Sequence, residues 1–453
     1  MSIQLTHDLG RFIATTRFKD IPEAAVATSR TAYADTIGVM LAGAHEQAPK
    51  LLKAMLAPTG GESALYVDGG RASALDAAWI NATAAHVLDY DDTAQRGGHT
   101  GAVLVSAILA EAEALGASGE QMILAHVVGY ETIADLVARD RDEHLDKGWH
   151  PTGILGTIGA AAACASLRKL DATKAAMAIA LGASQSAGVI SNFGTMTKPF
   201  HAGKAAHAGV ASARLAEIGF TASMDALEHA PSFLGAVSPA GRIDVDTPMQ
   251  AGSAWDICGA NRPAIKKYPL CYASHRAVDG LHDLLQSNTI AAHDIERITV
   301  TLSRRNSNNL RHHLPQTGLE AKFSIEFPIA SMLIAGRAGL AQLQDAFVRK
   351  PEVQALMKRV AIEIEERLDT ERAGFAIHDR VVVTMRDGRK FDTGPITHVR
   401  GDHALPLGHD DLWNKFEDCV QTGNPRIQAR KLFDTLMTLD RLPHVRELVA
   451  MLI

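Results

Sequence analysis

An acidic segment, Asp89–Thr93 (DYDDT), is followed by His99 within the glycine-rich stretch GGHTGA. Carboxylates this close together repel one another, and burial would raise the pKa of at least one of them. A carboxyl group shifted toward neutral pH can act as a general acid or base. The same carboxylates could instead cap the next helix and face water. Spacing alone leaves both interpretations open.

A second candidate is His150, which stands before Pro151 in the sequence GWHPT. Proline suits the first turn of a helix, so this order places His150 at a helix N-terminus. The positive end of the helix dipole disfavours an imidazolium there and favours a bound anion. A neutral imidazole could then exchange a proton with a carboxylate or donate a hydrogen bond to it. A capping or packing histidine is the alternative.

Lys198 lies between Thr197 and Pro199. The residue before a proline is pushed toward extended conformations, which predicts that Lys198 lies in a loop ahead of a helix that begins near Gly203. A lysine in such a loop could pair with a substrate carboxylate, or act as a base if desolvated. A surface lysine is the alternative.

A further basic segment, Lys266-Lys267-Tyr268-Pro269, precedes Cys271 and His275. Cations at a domain junction suit an anionic ligand, although a solvated basic face has the same pattern. Cys271 is a weak nucleophile candidate, because no spacing identifies a partner for it.

Several well-known site patterns are absent from the sequence. There is no GxSxG elbow, no Walker A loop, no convincing dinucleotide fingerprint, and no HExxH or Cys/His metal spacing. The glycines of GILGTIGAAAACA (153–165) sit inside a helical apolar run, which favours close helix packing over a phosphate loop.

Length and charge limit the remaining possibilities. A chain of 453 residues predicts two domains. The formal net charge of −6 gives no general attraction for nucleic acid or anionic membranes, and neither is expected as a partner. No secretory signal and no apolar run of about 18 residues is present. The 4 cysteines are scattered, which predicts reduced thiols in a cytoplasmic protein.

The elements that would position these residues change type near residue 260. Before it the pattern is helical, with a capping box at Ser118 and Gln121 and an N-cap at Asp171. After it, the alternation over Ile298–Leu302 predicts a strand. Asp387-Gly388 predicts a hairpin. The flanking strands of that hairpin are Arg380–Met385 and Arg389–Asp392, helices are expected over 275–286 and 324–336, and a helical pattern returns from Asp410.

Several motifs together resemble those of the MmgE/PrpD family. They are HVLDYDDT (86–93), GGHTGA (97–102), GWHPT (148–152), NFGTMTKPFHAGKAA (192–206), KKYPLCYASH (266–275) and AKFSIE (321–326). The resemblance implies a mainly α protein with an α+β second domain. A large all-helical domain would comprise residues 1–260 and 405–453, and a smaller α+β lid domain residues 261–404. It also implies a homodimer with no metal or organic cofactor.

The family's site residues carry over onto matching positions of this sequence. Catalytic roles fall on Asp89, His99, His150 and Lys198, and substrate-binding roles on Thr93, Lys266 and His275. The resemblance implies that one acid and one base act beside cations that hold carboxylates. His150 and Asp89 are expected to do the acid–base work.

The implied reaction is proton transfer at a carbon next to a carboxylate of a small di- or tricarboxylate. Loss of β-hydroxide would make the protein a lyase of the dehydratase type, which is the preferred interpretation. Return of the proton to the other face would make it an epimerase of an iminodisuccinate-like acid. A non-catalytic polycarboxylate-binding protein is the alternative from another class. Phe327 departs from the pattern, because it stands where decarboxylases of the family have a tyrosine.

Overall fold

The structure is a computed structural model that describes residues 4–94, 96–229, 231–370 and 374–452. Its chain forms two compact units. The first contains Met1–Asn192, Met196–Ile265 and Gly408–Ile453, and the second contains Phe193–Thr195 and Lys266–Leu407. The mainly α fold class with an α+β second part is confirmed. The exact domain boundaries at residues 260 and 405 stay a prediction.

The N-terminal part of the first unit is built from helices. They are α1 (Leu5–Thr15), α2 (Glu23–Gly43), α3 (Gln47–Leu56), α4 (Ala74–Val87), α5 (Thr100–Leu115), α6 (Gly119–Ala138), α7 (Pro151–Leu167), α8 (Ala172–Gln185), α9 (Thr197–Glu217) and α10 (Phe233–Val237). A short antiparallel pair, β1 (Ser63–Ala64) and β2 (Arg71–Ala72), lies between α3 and α4. The Ser118 capping box starts α6, and Asp171 caps α8, as predicted.

Small residues let the central helices approach closely, which confirms the packing interpretation of segment 153–165. This segment lies in α7, which packs against α6 and α9. A Cβ added at Gly159 would lie 2.4 Å from Ile133 of α6. A Cβ added at Gly209 of α9 would lie 2.3 Å from the Ala160 Cβ and 2.8 Å from two backbone atoms of α7.

Replacing Gly209 by alanine is therefore expected to lower the free energy of unfolding by about 1–3 kcal/mol, because the extra methyl group meets backbone that cannot yield. Urea denaturation measures the change. Gly235 is the matched control, since it is an exposed helical glycine whose added Cβ would meet nothing nearer than 4.0 Å. Equal effects of the two alanine substitutions would contradict this account.

The second unit combines a sheet with helices. Its helices are α11 (His275–Ser287), α12 (Arg304–Asn309), α13 (Gly318–Ala321), α14 (Glu326–Ala335), α15 (Asp345–Val348) and α16 (Pro351–Met357). Its strands are β3 (Ile295–Leu302), β4 (Val360–Ile364), β5 (Arg380–Met385) and β6 (Lys390–Asp392), in the order β4-β3-β5-β6. Only β3 and β4 pair in parallel. The predicted alternation in β3 and the hairpin at Gly388, with φ +88°, are confirmed.

The last helices, α17 (His409–Gly423), α18 (Ala429–Leu436) and α19 (Val445–Leu452), return to the first unit, where α17 packs against α2. The first unit is thus formed from both ends of the chain. In the part of the chain that the structure describes, no helix has both the length and the apolar character needed to cross a membrane.

Candidate functional site

Lys198 lies in the first turn of α9, so its predicted place in a loop is wrong. The bias against helical backbone before proline is a preference and not a prohibition. Pro199 falls within the first turn, where its missing N–H would have had no helical partner. The helix therefore begins at Thr197, six residues earlier than the predicted start near Gly203.

This turn buries the ammonium group of Lys198 against the acidic segment. Its Nζ donates to Oδ1 of Asp89 at 2.5 Å and lies 3.4 Å from Nε2 of His99. Lys198 and Asp89 are only 4% and 3% exposed, so water screens their ion pair weakly. The structure thus brings Lys198 together with Asp89 and His99, which lie 109 and 99 positions earlier in the sequence.

Asp89 has an unusual backbone. It follows α4 with φ +51°, in the left-handed region that non-glycine residues rarely adopt, although aspartate tolerates it better than most. Its N–H donates to the carbonyl of His86. Such local strain is typical of functional sites, where the surrounding structure holds it in place.

The proton position on His99 follows from its neighbours. Its Nδ1 lies 2.8 Å from the carbonyl oxygen of Asp92, which can only accept, so Nδ1 carries the proton. The lone pair of a neutral His99 is therefore on Nε2, which faces Lys198. The backbone N–H of His99 donates to Oγ1 of Thr152 in α7, which fixes the residue from a second side.

His86 and Asp91 form a buried pair beside His99. Nδ1 of His86 lies 2.9 Å from Oδ2 of Asp91, and the ring centroids of His86 and His99 are 4.2 Å apart. Burial lowers the pKa of His86 to about 3, so its imidazole is neutral. Burial opposes the ionised form of Asp91, yet the His86 and His99 rings outweigh it and hold its pKa well below the usual range.

Asp92 takes the capping role that the sequence left open. Its Oδ1 accepts the N–H of Gly101 at 2.8 Å, and its Oδ2 accepts the hydroxyl of Thr100, at the start of α5. Contrary to the alternative of a cap that faces water, the side chain is fully buried. Burial, together with the charges of Asp91 and Asp35, raises the pKa of Asp92 to about 8.

His150 is the N-cap residue of α7 with Pro151 at the first helical position, as predicted. Its Nδ1 lies 3.1 Å from Nδ1 of His201, which is on α9. Burial lowers the pKa of His150 well below its usual value, and the charge of Lys198 adds to the effect. The predicted neutral imidazole thus has burial as its main cause.

A lysine from the C-terminal helix α17 supports the acidic segment from behind. Nζ of Lys415 donates to the carbonyl of Tyr90 at 2.7 Å and pairs with Asp35 at 2.5 Å. The same Nζ lies 4.1 Å from the centre of the Tyr90 ring. The segment after α4 is thus held by residues from both ends of the chain.

Two groups of side chains have the spacing of metal ligands. One is His86, His99 and His150, and the other is His86, Asp89, Asp91 and His99, with ligand atoms within 4.8 Å of one another. In the second group the Lys198 ammonium already contacts Asp89 and His99, so positive charge is supplied by the chain itself. The sequence prediction that no metal is needed stays a prediction.

The other predicted residues lie elsewhere in their units. Thr93 pairs through its backbone with Ala264, at 2.9 and 2.8 Å. Lys266 is fully buried and is the first residue of Lys266–Leu407, the longer segment of the second unit. His275 begins α11, and its Nε2 donates to the carbonyl of Leu270 at 3.2 Å. The substrate-binding roles of Thr93, Lys266 and His275 stay predictions.

Two further residues of the second unit, Phe327 and Cys271, were singled out in the sequence. Phe327 is fully buried in its hydrophobic core, with its ring 6.4 Å from that of Phe347. Cys271 is partly exposed, and its backbone N–H donates to the carbonyl of Lys322.

The family comparison agrees with the motifs and with the two-part fold. Residues 7–246 match the MmgE/PrpD N-terminal domain, and residues 268–439 match the MmgE/PrpD C-terminal domain. The chain belongs to the MmgE/PrpD family. The buried Asp89, His150 and Lys198 and the partly buried His99 all lie in the part that matches the N-terminal domain of this family.

Curated relatives of this MmgE/PrpD chain include three proteins with related names. Cis-aconitate decarboxylase of Homo sapiens is 28% identical over 351 residues, which is 75% of this chain and 71% of the relative. That of Mus musculus is 28% identical over 374 residues, or 80% and 74%. The cis-aconitate decarboxylase-like protein oryM of Aspergillus oryzae is 23% identical over 487 residues, or 99% and 97%.

Sequence reasoning assigned no role to His86 or His201, although both lie within the quoted MmgE/PrpD motifs. The missed signal for His201 is its spacing. It stands three residues after Lys198, and residues at this spacing share one face of a helix. The mistaken loop at Lys198 hid this relation, because α9 was expected to begin only after His201.

The buried neutral histidines predict acid sensitivity of this MmgE/PrpD protein. Burial lowers the pKa of His126 and of His201 to about 4, and that of His86 to about 3. In the unfolded chain these groups titrate near 6.5, so below this pH the unfolded state binds protons that the folded state does not. The stability that these three histidines contribute is present above pH 6.5 and is lost as the pH falls toward 4.

Each such histidine is expected to remove about 2 kcal/mol from the free energy of unfolding between pH 6.5 and 5, measured by urea denaturation. A His126→Asn variant should lose its share of this change. The control His293→Asn should keep it, because the side chain of His293 is 83% exposed. An unchanged pH dependence in His126→Asn would contradict the prediction; the comparison with the variant is needed because Asp92, whose pKa is raised to about 8, changes the total profile in the opposite direction.

Proposed function

We propose that this protein is a carbon-acid enzyme that acts on a small di- or tricarboxylate without a cofactor. One observation carries the proposal: the buried ammonium of Lys198 contacts Asp89 and His99 close to neutral histidines. A cation in such a place can hold a substrate carboxylate. A neutral imidazole beside it can exchange a proton.

The first step is removal of a proton from the carbon next to a carboxylate. Negative charge then spreads onto that carboxylate, and a fixed cation stabilises it most when the surroundings exclude water. Lys198 is in position for this task, and the lone pair on Nε2 of His99 can accept an N–H of Lys198 and so orient the ammonium group. Asp89 balances the charge of Lys198 while the site is empty.

His150 and Asp89 are the proposed acid and base. The pKa of His150 lies well below its usual value because of burial, so the ring is unprotonated and able to accept a proton at neutral pH. After accepting it, the imidazolium is a strong acid in these surroundings and can return the proton. Asp89 is the second acid–base group of the proposal, and its contact with Lys198 supports this role.

The fate of the carbanion divides lyase from epimerase. We favour elimination by a lyase of the dehydratase type. The named relatives are decarboxylases, which supports a lyase-like enzyme for carboxylic acids but gives neither substrate nor reaction. Phe327 is buried in the core and has no phenolic group that could donate a proton. This argues against assigning the decarboxylase activity of the relatives to this chain.

Return of the proton to the opposite face is the second candidate, an epimerase of an iminodisuccinate-like dicarboxylate. The sequence motifs GWHPT, NFGTMTKP and AKFSIE favour the epimerase, because they resemble those of the epimerase branch of the family. The homodimer that the family resemblance implies and the cytoplasmic location that the scattered cysteines predict also belong to the proposal.

Proton NMR in D₂O with a panel of di- and tricarboxylates tests the proposal. New vinyl signals would support elimination of water. Deuterium uptake without net elimination would support epimerisation. Ligand-induced thermal stabilisation with no spectral change across the panel would refute the enzyme and favour a polycarboxylate-binding protein.

A chelator test addresses metal-assisted hydration. Turnover is expected to stay within twofold after prolonged treatment with EDTA and buffer exchange, because Lys198 supplies the positive charge. The control is the same protein passed through buffer without chelator. A loss of activity that added divalent metal restores would overturn the cofactor-free assignment.

A further inference from the structure

His150 and His201 meet through the same ring atom. Their Nδ1 atoms lie 3.1 Å apart, and their ring centroids are 5.3 Å apart. A hydrogen bond between two ring nitrogens needs one donor and one acceptor. One ring therefore carries its proton on Nδ1, and the other presents a lone pair there.

Both rings are neutral, and the Nδ1 proton lies in the hydrogen bond between them. Burial is the main reason that the pKa of each ring lies below its usual value, and the nearby Lys198 lowers it further. Each neutral imidazole has a single N–H. The direction of the Nδ1 contact therefore fixes the state of both Nε2 atoms: bare on the donating ring and protonated on the accepting ring.

The surroundings hold both rings in place. The backbone N–H of His150 donates to the carbonyl of Gly188 at 3.0 Å. The backbone N–H of Ile190 donates to the carbonyl of Gly148, so two hydrogen bonds join these two stretches of chain. Gly188 itself has φ +127°, and a Cβ there would lie 3.1 Å from Cγ of His201. The backbone of Gly188 thus packs against the His201 ring and leaves no room for a side chain.

We propose that His201 is a positioning residue that accepts the Nδ1 proton of His150 and thereby keeps Nε2 of His150 unprotonated, so that the lone pair of Nε2 can take a proton from the substrate. The inference rests on the proposed function, in which His150 is the base. In that step the C–H electrons stay on carbon and the proton moves to Nε2. The Nδ1–H of the new imidazolium remains bonded to His201.

A neutral partner has a different effect from a carboxylate. A carboxylate behind the ring would orient it and also stabilise the imidazolium. His201 orients the ring without adding negative charge, so the protonated His150 remains a good acid. This suits a reaction in which the same group returns the proton.

The test uses the full chain with ¹⁵N-labelled histidine, whose ring nitrogens report the tautomer by NMR. In the wild type, His150 is expected to carry its proton on Nδ1 with Nε2 bare, and its signals are assigned by their loss in His150→Asn. His201→Leu removes the acceptor and should populate both tautomers. His201→Asn places an amide oxygen near the former Nδ1 and should keep the wild-type state.

Kinetics provide the second readout. His201→Leu is expected to lower kcat by about 10- to 100-fold with little change in KM, as is typical for partners that orient a functional group. His201→Asn should recover most of the rate. Circular dichroism checks that each variant folds, and if His201→Leu fails to fold, the tautomer of His150 in the wild type decides.

Two results would overturn the proposal. One is a wild-type His150 with its proton on Nε2. The other is an unchanged tautomer and an unchanged kcat in folded His201→Leu. The tautomer is read without substrate, so its failure differs from that of the proposed function, which would appear as no turnover of any carboxylate by the wild type.

Discussion

Replacing Lys198 by methionine is expected to lower kcat/KM by about 100- to 1,000-fold, the usual effect of removing a group that stabilises developing negative charge. The substitution keeps most of the side-chain volume and removes the ammonium that lies 2.5 Å from Asp89. It should also cost about 3–5 kcal/mol of stability, because the partner carboxylate stays buried after its cation is lost. Steady-state kinetics and urea denaturation measure the two effects.

Loss of activity must be separated from loss of fold. Lys204→Met is the matched control, because Lys204 lies in the same helix and covers the Trp79 ring at 4.8 Å, outside the cluster. The double variant Lys198→Met/Asp89→Asn removes both charges and should regain stability without regaining activity. An active Lys198→Met enzyme, within tenfold of the wild type, would remove Lys198 from the mechanism.

The acidic segment is held by helices from both ends of the chain, which form the discontinuous first unit. The acidic segment follows α4, and Lys415 reaches its Tyr90 carbonyl from α17. Asp35 of α2 neutralises Lys415 and at the same time helps to raise the pKa of Asp92. A change at Lys415 in α17 can therefore affect the acidic segment through two contacts.

Local features of the fold could be predicted because neighbouring residues determine them. The capping box at Ser118, the N-cap at Asp171 and the turn at Gly388 depend on a few adjacent side chains. Lys198 shows the limit of such rules. Its preference for extended backbone is small, and the contacts of α9 with its neighbours decide the conformation.

The sequence singled out three residues that the structure places in contact, but it did not predict how they pair. The family motifs pointed to Asp89, His99, His150 and Lys198, and the structure brings Lys198, Asp89 and His99 together. The contact of Lys198 with Asp89 joins residues that lie more than 50 positions apart in the sequence. The contact of His150 with His201, between α7 and α9, is of this kind.

Replacing His150 by asparagine is expected to lower kcat by about 100- to 10,000-fold, the usual contribution of a general acid or base, with stability preserved. Asparagine places a polar atom where Nδ1 was, so the contact with His201 can persist, and it is a favoured N-cap for α7. Only Nε2 is lost. His126→Asn is the matched control, since His126 is equally buried, also uses Nδ1, toward Ser29, and lies outside the cluster. Near-normal turnover of a folded His150→Asn enzyme would assign the proton transfer to another group, whereas inactivity of both variants would point to a general effect of losing a buried imidazole.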